Sequence, residues 1–81
     1  MTVRVLFFAH YADVVGGRER TVTLPPGARV RDLATRLQGD YALGDLLAQG
    51  RVAVDGEFAD AGTPLSEGAE VAWLPPVSGG C

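Results

Sequence analysis

Val30-Arg31-Asp32-Leu33-Ala34-Thr35-Arg36-Leu37 is the stretch on which the fold turns. Val30, Leu33, Ala34 and Leu37 fall at i, i+3, i+4 and i+7, the apolar stripe of a helix. Arg31, Asp32, Thr35 and Arg36 take the wet side, and Gly39 stands where a C-cap is expected. The chain offers one such helix. The segments on either side read mainly as strands and turns, so the expected fold class is α+β: a mixed sheet curled around one main helix.

Toward the N-terminus, Pro25-Pro26-Gly27 stops a strand over Arg18–Leu24, which sets Glu19, Thr21 and Thr23 against Arg20, Val22 and Leu24. Before it, Tyr11–Val15 reads as a helical turn closed by Gly16-Gly17. Thr2–Ala9 is rich in β-branched and aromatic residues. Val3, Val5 and Phe7 share one face, and Leu6 and Phe8 the other, so both faces near its end are expected to be covered, as in a central strand.

Toward the C-terminus, Leu43, Leu46 and Leu47 suggest a second short helical piece before Gly50. Arg51–Val54 is a short strand, Asp55-Gly56 a hairpin turn, and Glu57-Phe58 resumes the pairing. Ala59–Gly68 reads as a loop with a helical turn near Thr63-Pro64-Leu65. Glu70–Leu74 is the last strand, with Val71 and Trp73 facing inward, and Pro75-Pro76 stops it. The order is β-β-α-β-β. Parallel pairing of the first and last strands at the centre would make it a β-grasp, with residues 1–76 as the globular body and 77–81 as a tail.

The 81 residues make one domain, too small to hold both a scaffold and a large enclosed active site, which counts against a self-sufficient enzyme. The formal charge is −3, and the seven basic residues are all Arg, scattered along the chain without a basic stripe, so no nucleic-acid partner is expected. Without lysine, only the N-terminal amine is open to acylation of the chain by itself. The single cysteine, Cys81, excludes an internal disulfide, a Cys-based zinc site and an iron–sulfur cluster. The opening Met1–Val5 runs into a strand pattern rather than a signal peptide, and no apolar run has membrane-spanning length. A soluble cytoplasmic protein with no membrane association is expected.

Candidate chemical groups inside the body are sparse. His10 has no second His or nearby Cys and reads as a surface residue. Asp13 and Glu19 flank the Gly16-Gly17 turn as solvated charges. Asp55, Glu57 and Asp60 lack calcium-loop spacing and read as a polar hairpin. Gly16-Gly17 lacks the spacing and lysine of a phosphate loop, and no Ser/His/Asp set suggests a hydrolase. No metal and no bound cofactor are expected. Phe58 and Trp73 are assigned to packing.

The chemistry gathers at the end of the chain. Pro75-Pro76 enforces an extended exit, and Gly79-Gly80 makes a tip without Cβ atoms that can enter a narrow site. A stiff exit with a thin tip suits an arm that delivers its own terminal carboxylate to another protein's catalytic groups. An exposed apolar patch beside that arm is expected for docking. The candidates are Phe7, Leu74, Pro75, Pro76, Val77 and Ser78.

Three segments carry a resemblance: Val5-Leu6-Phe7-Phe8-Ala9, Leu65-Ser66-Glu67-Gly68-Ala69-Glu70-Val71-Ala72, and Leu74-Pro75-Pro76-Val77-Ser78-Gly79-Gly80. The chain resembles the MoaD/ThiS family of ubiquitin-like sulfur carriers over essentially its whole length. The resemblance implies a β-grasp fold, and an E1-like adenylating enzyme that uses ATP to activate the Gly80 carboxylate. It further implies a persulfide sulfur donor that converts this carboxylate to a thiocarboxylate. In the molybdopterin branch the acceptor is the large molybdopterin synthase subunit; other branches serve cysteine, thiamine, tRNA or thio-metabolite pathways. A ubiquitin-like protein modifier needs the same activated tail.

The chain departs from the family pattern at Cys81. While Cys81 is attached, the Gly80 carbonyl is an amide and cannot be adenylated. Three readings compete: a precursor whose Cys81 a peptidase removes, an engineered handle for coupling, and direct use of the thiol, including an acyl shift from nitrogen to sulfur.

Overall fold

A computed structural model of the chain describes residues 1–41, 43, 47 and 50–75. In chain order the elements are β1 (Thr2–Phe7), α1 (His10–Val15), β2 (Glu19–Thr23), α2 (Val30–Tyr41), β3 (Arg51–Val54), β4 (Glu57–Ala59) and β5 (Glu70–Leu74). The five strands form one sheet in the order β2-β1-β5-β3-β4. β1 and β5 pair in parallel at its centre, from Arg4 opposite Glu70 to Phe7 opposite Trp73, and the other neighbours are antiparallel. This is the ubiquitin-like β-grasp, a mixed sheet with one principal helix against it.

The inner face of the sheet and the apolar stripe of α2 share one core. Val3, Val5 and Phe7 of β1, Val22 of β2, and Val71 and Trp73 of β5 lie in the same buried cluster as Val30, Leu33 and Leu37 of α2. Leu43 and Leu47 are also buried there; Leu46 lies outside the described residues. Burial of this apolar area supplies most of the stabilisation, about 1.5–3 kcal/mol for each fully buried large aliphatic or aromatic side chain.

Three local expectations need correction. Gly39 does not cap α2. The helix runs through it to Tyr41, which packs against the core, and Arg36 pairs with Asp40 at 3.2 Å across that last turn. Packing of the last turn outweighs the intrinsic cost of glycine, about 1 kcal/mol. No helical turn forms at Thr63-Pro64-Leu65, because that backbone is used elsewhere. The Thr63 and Ala61 carbonyls accept from the N–H groups of Val30 and Arg31 at the start of α2, Leu65 N–H donates to the Ala28 carbonyl, and Pro64 bridges Arg29. The loop thus supplies acceptors that a helix N-terminus lacks within itself, while Asp32 reaches back to Arg29 N–H at 2.8 Å.

The third concerns β1, which is central by hydrogen bonding but, among the described residues, covered on one face alone. Val3, Val5 and Phe7 are at most 1% exposed, whereas Leu6 is partly exposed and Phe8 is 43% exposed. A single layer of helix covers a single face of a sheet, and among the described residues no second layer lies over Leu6 and Phe8.

Candidate functional site

The parallel pairing brings the C-terminal ends of β1 and β5 together, and the antiparallel start of β3 joins them, with Arg51 opposite Leu74. Three pieces of chain therefore converge where β5 hands over to Pro75: the β1–α1 corner at Phe8–Tyr11, the start of β3 at Gly50-Arg51, and Leu74 itself. The corner is tight. Phe8 carbonyl accepts from Tyr11 N–H at 3.1 Å, and Ala9 between them has φ 52° and ψ −125°. Arg20 supports the far end of α1, donating to the carbonyls of Glu19, Gly16 and Val15.

Tyr11 and Trp73 form the floor of this end of the sheet, 2% and 3% exposed. The Trp73 indole N–H donates to the Leu47 carbonyl at 3.4 Å. Burial pushes the Tyr11 phenol above its ordinary pKa of 10.0, because the charged phenolate would lose its hydration. Gly50 fits against this floor only as glycine. A Cβ at that position would run into both the Tyr11 hydroxyl and the Leu74 carbonyl.

The outer face divides into two halves. Toward the start of β1, Arg4 lies between Glu19 and Glu70, at 3.2 and 3.1 Å, with Thr21 opposite it on β2. Toward the end of β5 the face is apolar. Leu6, Ala72, Ala53 and Phe58 stand directly opposite one another across β1, β5, β3 and β4. The next row holds Leu74 and Arg51, with Phe8 just past the end of β1. Phe58 is 64% exposed, and the Arg51 guanidinium lies 4.1 Å from the centre of its ring. Beside Phe8 an open cleft of about 480 Å³ is lined by Leu6, Ala9, Ala12, Asp13 and Arg18.

Of the expected docking residues, Leu74 and Pro75 lie at the end of β5 and are partly exposed. Phe7 does not face solvent: at 1% exposed it belongs to the core, because β1 turns its Val3-Val5-Phe7 face toward α2. Phe58, assigned to packing from the sequence, is the most exposed of the large apolar residues named here, while Trp73 is indeed packed. Pro76, Val77, Ser78, Gly79, Gly80 and Cys81 lie outside the described residues. Sequence reasoning missed Phe8, Phe58 and Gly50. The alternation along β1 placed Phe8 beside Leu6, but nothing local showed that this face stays uncovered.

The remaining polar candidates are structural in placement. Asp55 at φ 50° and Gly56 at φ 87° form the two-residue turn of the β3–β4 hairpin, the type I′ geometry that Asp-Gly favours. The Asp55 carboxylate also accepts from Glu70 N–H at 3.0 Å. Asp60 closes its own loop by accepting from Gly62 N–H. His10 is exposed at the start of α1. Among the described residues no group of three or more His, Cys, Asp or Glu is arranged to hold a metal, and no helix is long and apolar enough to cross a membrane.

The ThiS family profile matches residues 5–80, from β1 through Gly79-Gly80. The chain belongs to the MoaD/ThiS family. The match stops one residue before Cys81. The chain is 36% identical over 83 aligned positions to the molybdopterin synthase sulfur carrier subunit of Caenorhabditis briggsae, covering 99% of each. In fold it is similar to small archaeal modifier protein 1 of Haloferax volcanii, with a TM-score of 0.83, 30% identity, and coverage of 94% of this chain and 98% of the other. It is likewise similar to a chain in the complex of subunits 1 and 2 of the molybdopterin-converting factor of Helicobacter pylori. There the TM-score is 0.74 and the identity 27%, with coverage of 99% and 100%. Family members of both descriptions thus share this β-grasp body.

Proposed function

We propose that this protein is a sulfur carrier that is adenylated at Gly80, converted there to a thiocarboxylate, and used as the small subunit of molybdopterin synthase. The observation that carries the reading is that a central strand of a β-grasp, β5, ends at Leu74-Pro75 beside an open apolar face, five residues before Gly80. The chemistry follows from the carboxylate. As an anion it is a poor electrophile, and an E1-like enzyme remedies this by transferring AMP from ATP to it, releasing pyrophosphate. A persulfide then displaces AMP, and reductive cleavage of the S–S bond by a thiol leaves the thiocarboxylate. The carrier contributes the reacting atom and the docking surface; partner enzymes contribute the catalytic groups.

The apolar half of the outer face is the docking surface in this reading. Leu6, Ala72, Ala53 and Phe58, flanked by Phe8 and Leu74, give a partner a dry patch with Arg51 at its rim, while the cleft beside Phe8 accepts an apolar side chain. The partners are the E1-like enzyme, the sulfur donor and the large synthase subunit, all meeting the carrier in the cytoplasm. Residues 1–76 serve as the body and 77–81 as the arm. Cys81 is removed by a peptidase before activation, in keeping with a family match that stops at Gly80.

Two observations favour other clients for the same tail. Cys81 favours a carrier in a cysteine, thiamine, tRNA or thio-metabolite pathway, and similarity to an archaeal modifier favours conjugation to protein lysines. One experiment separates them. The chain ending at Gly80 is incubated with its E1-like enzyme, ATP and a sulfur donor, and followed by intact mass. A gain of about 16 Da, the mass difference of oxygen-for-sulfur exchange, is expected, and it is lost on deletion of Gly79-Gly80 without loss of fold. Failure of adenylation by every cognate enzyme refutes the carrier reading. Lysine-linked adducts without thiocarboxylate favour the modifier, and capture of a sulfur-accepting enzyme other than the large synthase subunit favours another pathway.

A further inference from the structure

We propose that Tyr11, Gly50 and the Leu74 carbonyl form a positioning seat that fixes the bearing on which the C-terminal segment leaves the sheet. The proposal rests on the carrier reading above and adds to it the residues that aim the arm.

Two independent constraints meet at Leu74. From the side, its carbonyl and the Tyr11 hydroxyl close on Gly50 so tightly that a single methyl group at residue 50 would displace one of them. Tyr11 has little freedom to yield, since it is 2% exposed and its backbone N–H is tied to the Phe8 carbonyl at 3.1 Å. From the front, Pro75 restricts the residue before it to extended conformations, because the pyrrolidine ring crowds the Leu74 backbone. Pairing with Arg51 holds Leu74 as the last rung of the β3–β5 ladder. With its pairing, backbone range and carbonyl direction all set, Leu74 transmits a defined starting direction to the arm.

Such a seat has a kinetic purpose. The docking patch holds the body of the carrier, while the reacting carbon lies beyond Pro75 at Gly80. An arm that started in many directions would reach the adenylating site in only a fraction of docked complexes. Misplacement of a reacting atom by about 1 Å can cost 10²-fold in rate. Tyr11 and Gly50 are therefore positioning residues, acting on the reaction through Leu74 without touching substrate.

The test uses the carrier ending at Gly80 with its E1-like enzyme and ATP, and reads carrier–AMP formation as separate kcat and KM. Gly50→Ala is expected to lower kcat about tenfold while KM stays within about twofold, because no side chain of the docking face is replaced. Pro75→Ala is the second variant. It lies past the last ladder residue, adds no atom to the seat, and is expected to lower kcat in the same direction. A loss of docking would raise KM instead, and a stability defect would follow the unfolded fraction measured by circular dichroism. A nitroxide on Cys81, the only cysteine, gives a readout in the full chain that needs no enzyme. The amides it broadens are expected to change in identity between wild type and Gly50→Ala. Unchanged kcat in both variants together with an unchanged broadening map overturns the seat and leaves the carrier reading standing. If the parent carrier is never adenylated, the carrier reading falls, and the broadening map alone decides whether the seat exists.

Discussion

Replacement of Ala9 by glycine is expected to stabilise the protein. Ala9 occupies the first central position of the four-residue turn Phe8–Tyr11, closed by the Phe8 carbonyl and Tyr11 N–H at 3.1 Å. Its φ of 52° and ψ of −125° are those of a type II′ turn, where the Cβ of an L residue is crowded and glycine is the usual occupant. Holding a non-glycine residue in such a region costs about 1–3 kcal/mol. Against this, glycine adds about 0.4–1 kcal/mol of conformational freedom to the unfolded chain. Ala9 is exposed, so little packing is lost with its methyl group. The balance is a gain of about 1 kcal/mol, which for a domain of this size raises Tm by about 4–8 °C. Urea titration and thermal melting of wild type and Ala9→Gly measure it, with an unchanged m-value showing that the unfolded state is the same. Destabilisation of about 0.5 kcal/mol or more would refute the reasoning, since the methyl group would then be contributing contacts rather than strain.

Gly39 is the converse case. It lies inside α2, and a Cβ there would meet nothing within 4 Å, so Gly39→Ala is expected to add about 0.5–1 kcal/mol in the same urea assay. Tyr11 predicts an alkaline limb in stability. Its folded pKa lies above 10.0, so between 10.0 and the folded value the unfolded chain releases a proton that the native chain keeps. Its contribution is thus intact below pH 10 and lost as pH rises through that window. Comparison of wild type with Tyr11→Phe by urea titration at pH 8 to 11 isolates it. A slope equally steep in both proteins would show that Tyr11 is not its source.

The local elements were legible because each rests on a short-range period or a turn preference. The i, i+3, i+4, i+7 stripe of Val30, Leu33, Ala34 and Leu37 located α2, and Asp55-Gly56 located the β3–β4 hairpin. Alternation along β1 grouped Val3, Val5 and Phe7 correctly. Where the reading failed, a distant partner had intervened. Gly39 stayed helical because Tyr41 packs against the core beyond it, and Thr63–Leu65 stayed extended because α2 takes the loop's carbonyls. Phe58 was misassigned because its side of the sheet depends on the β3–β4 register, which puts it opposite Ala53 and away from the core.

By itself, the sequence of residues determined where the main helix and the strands lie, and it placed two glycines, Gly79 and Gly80, close behind a proline pair. Those are properties of neighbours a few bonds apart, set by backbone sterics and side-chain period. Only the tertiary structure decided that β1 and β5 lie side by side, that Phe7 goes in while Phe8 and Phe58 stay out, and that Gly50 comes to rest against Leu74. A period of two tells that a strand has two faces. Which face is covered depends on how many layers the chain can build and on the register between strands far apart in sequence, and neither is encoded locally.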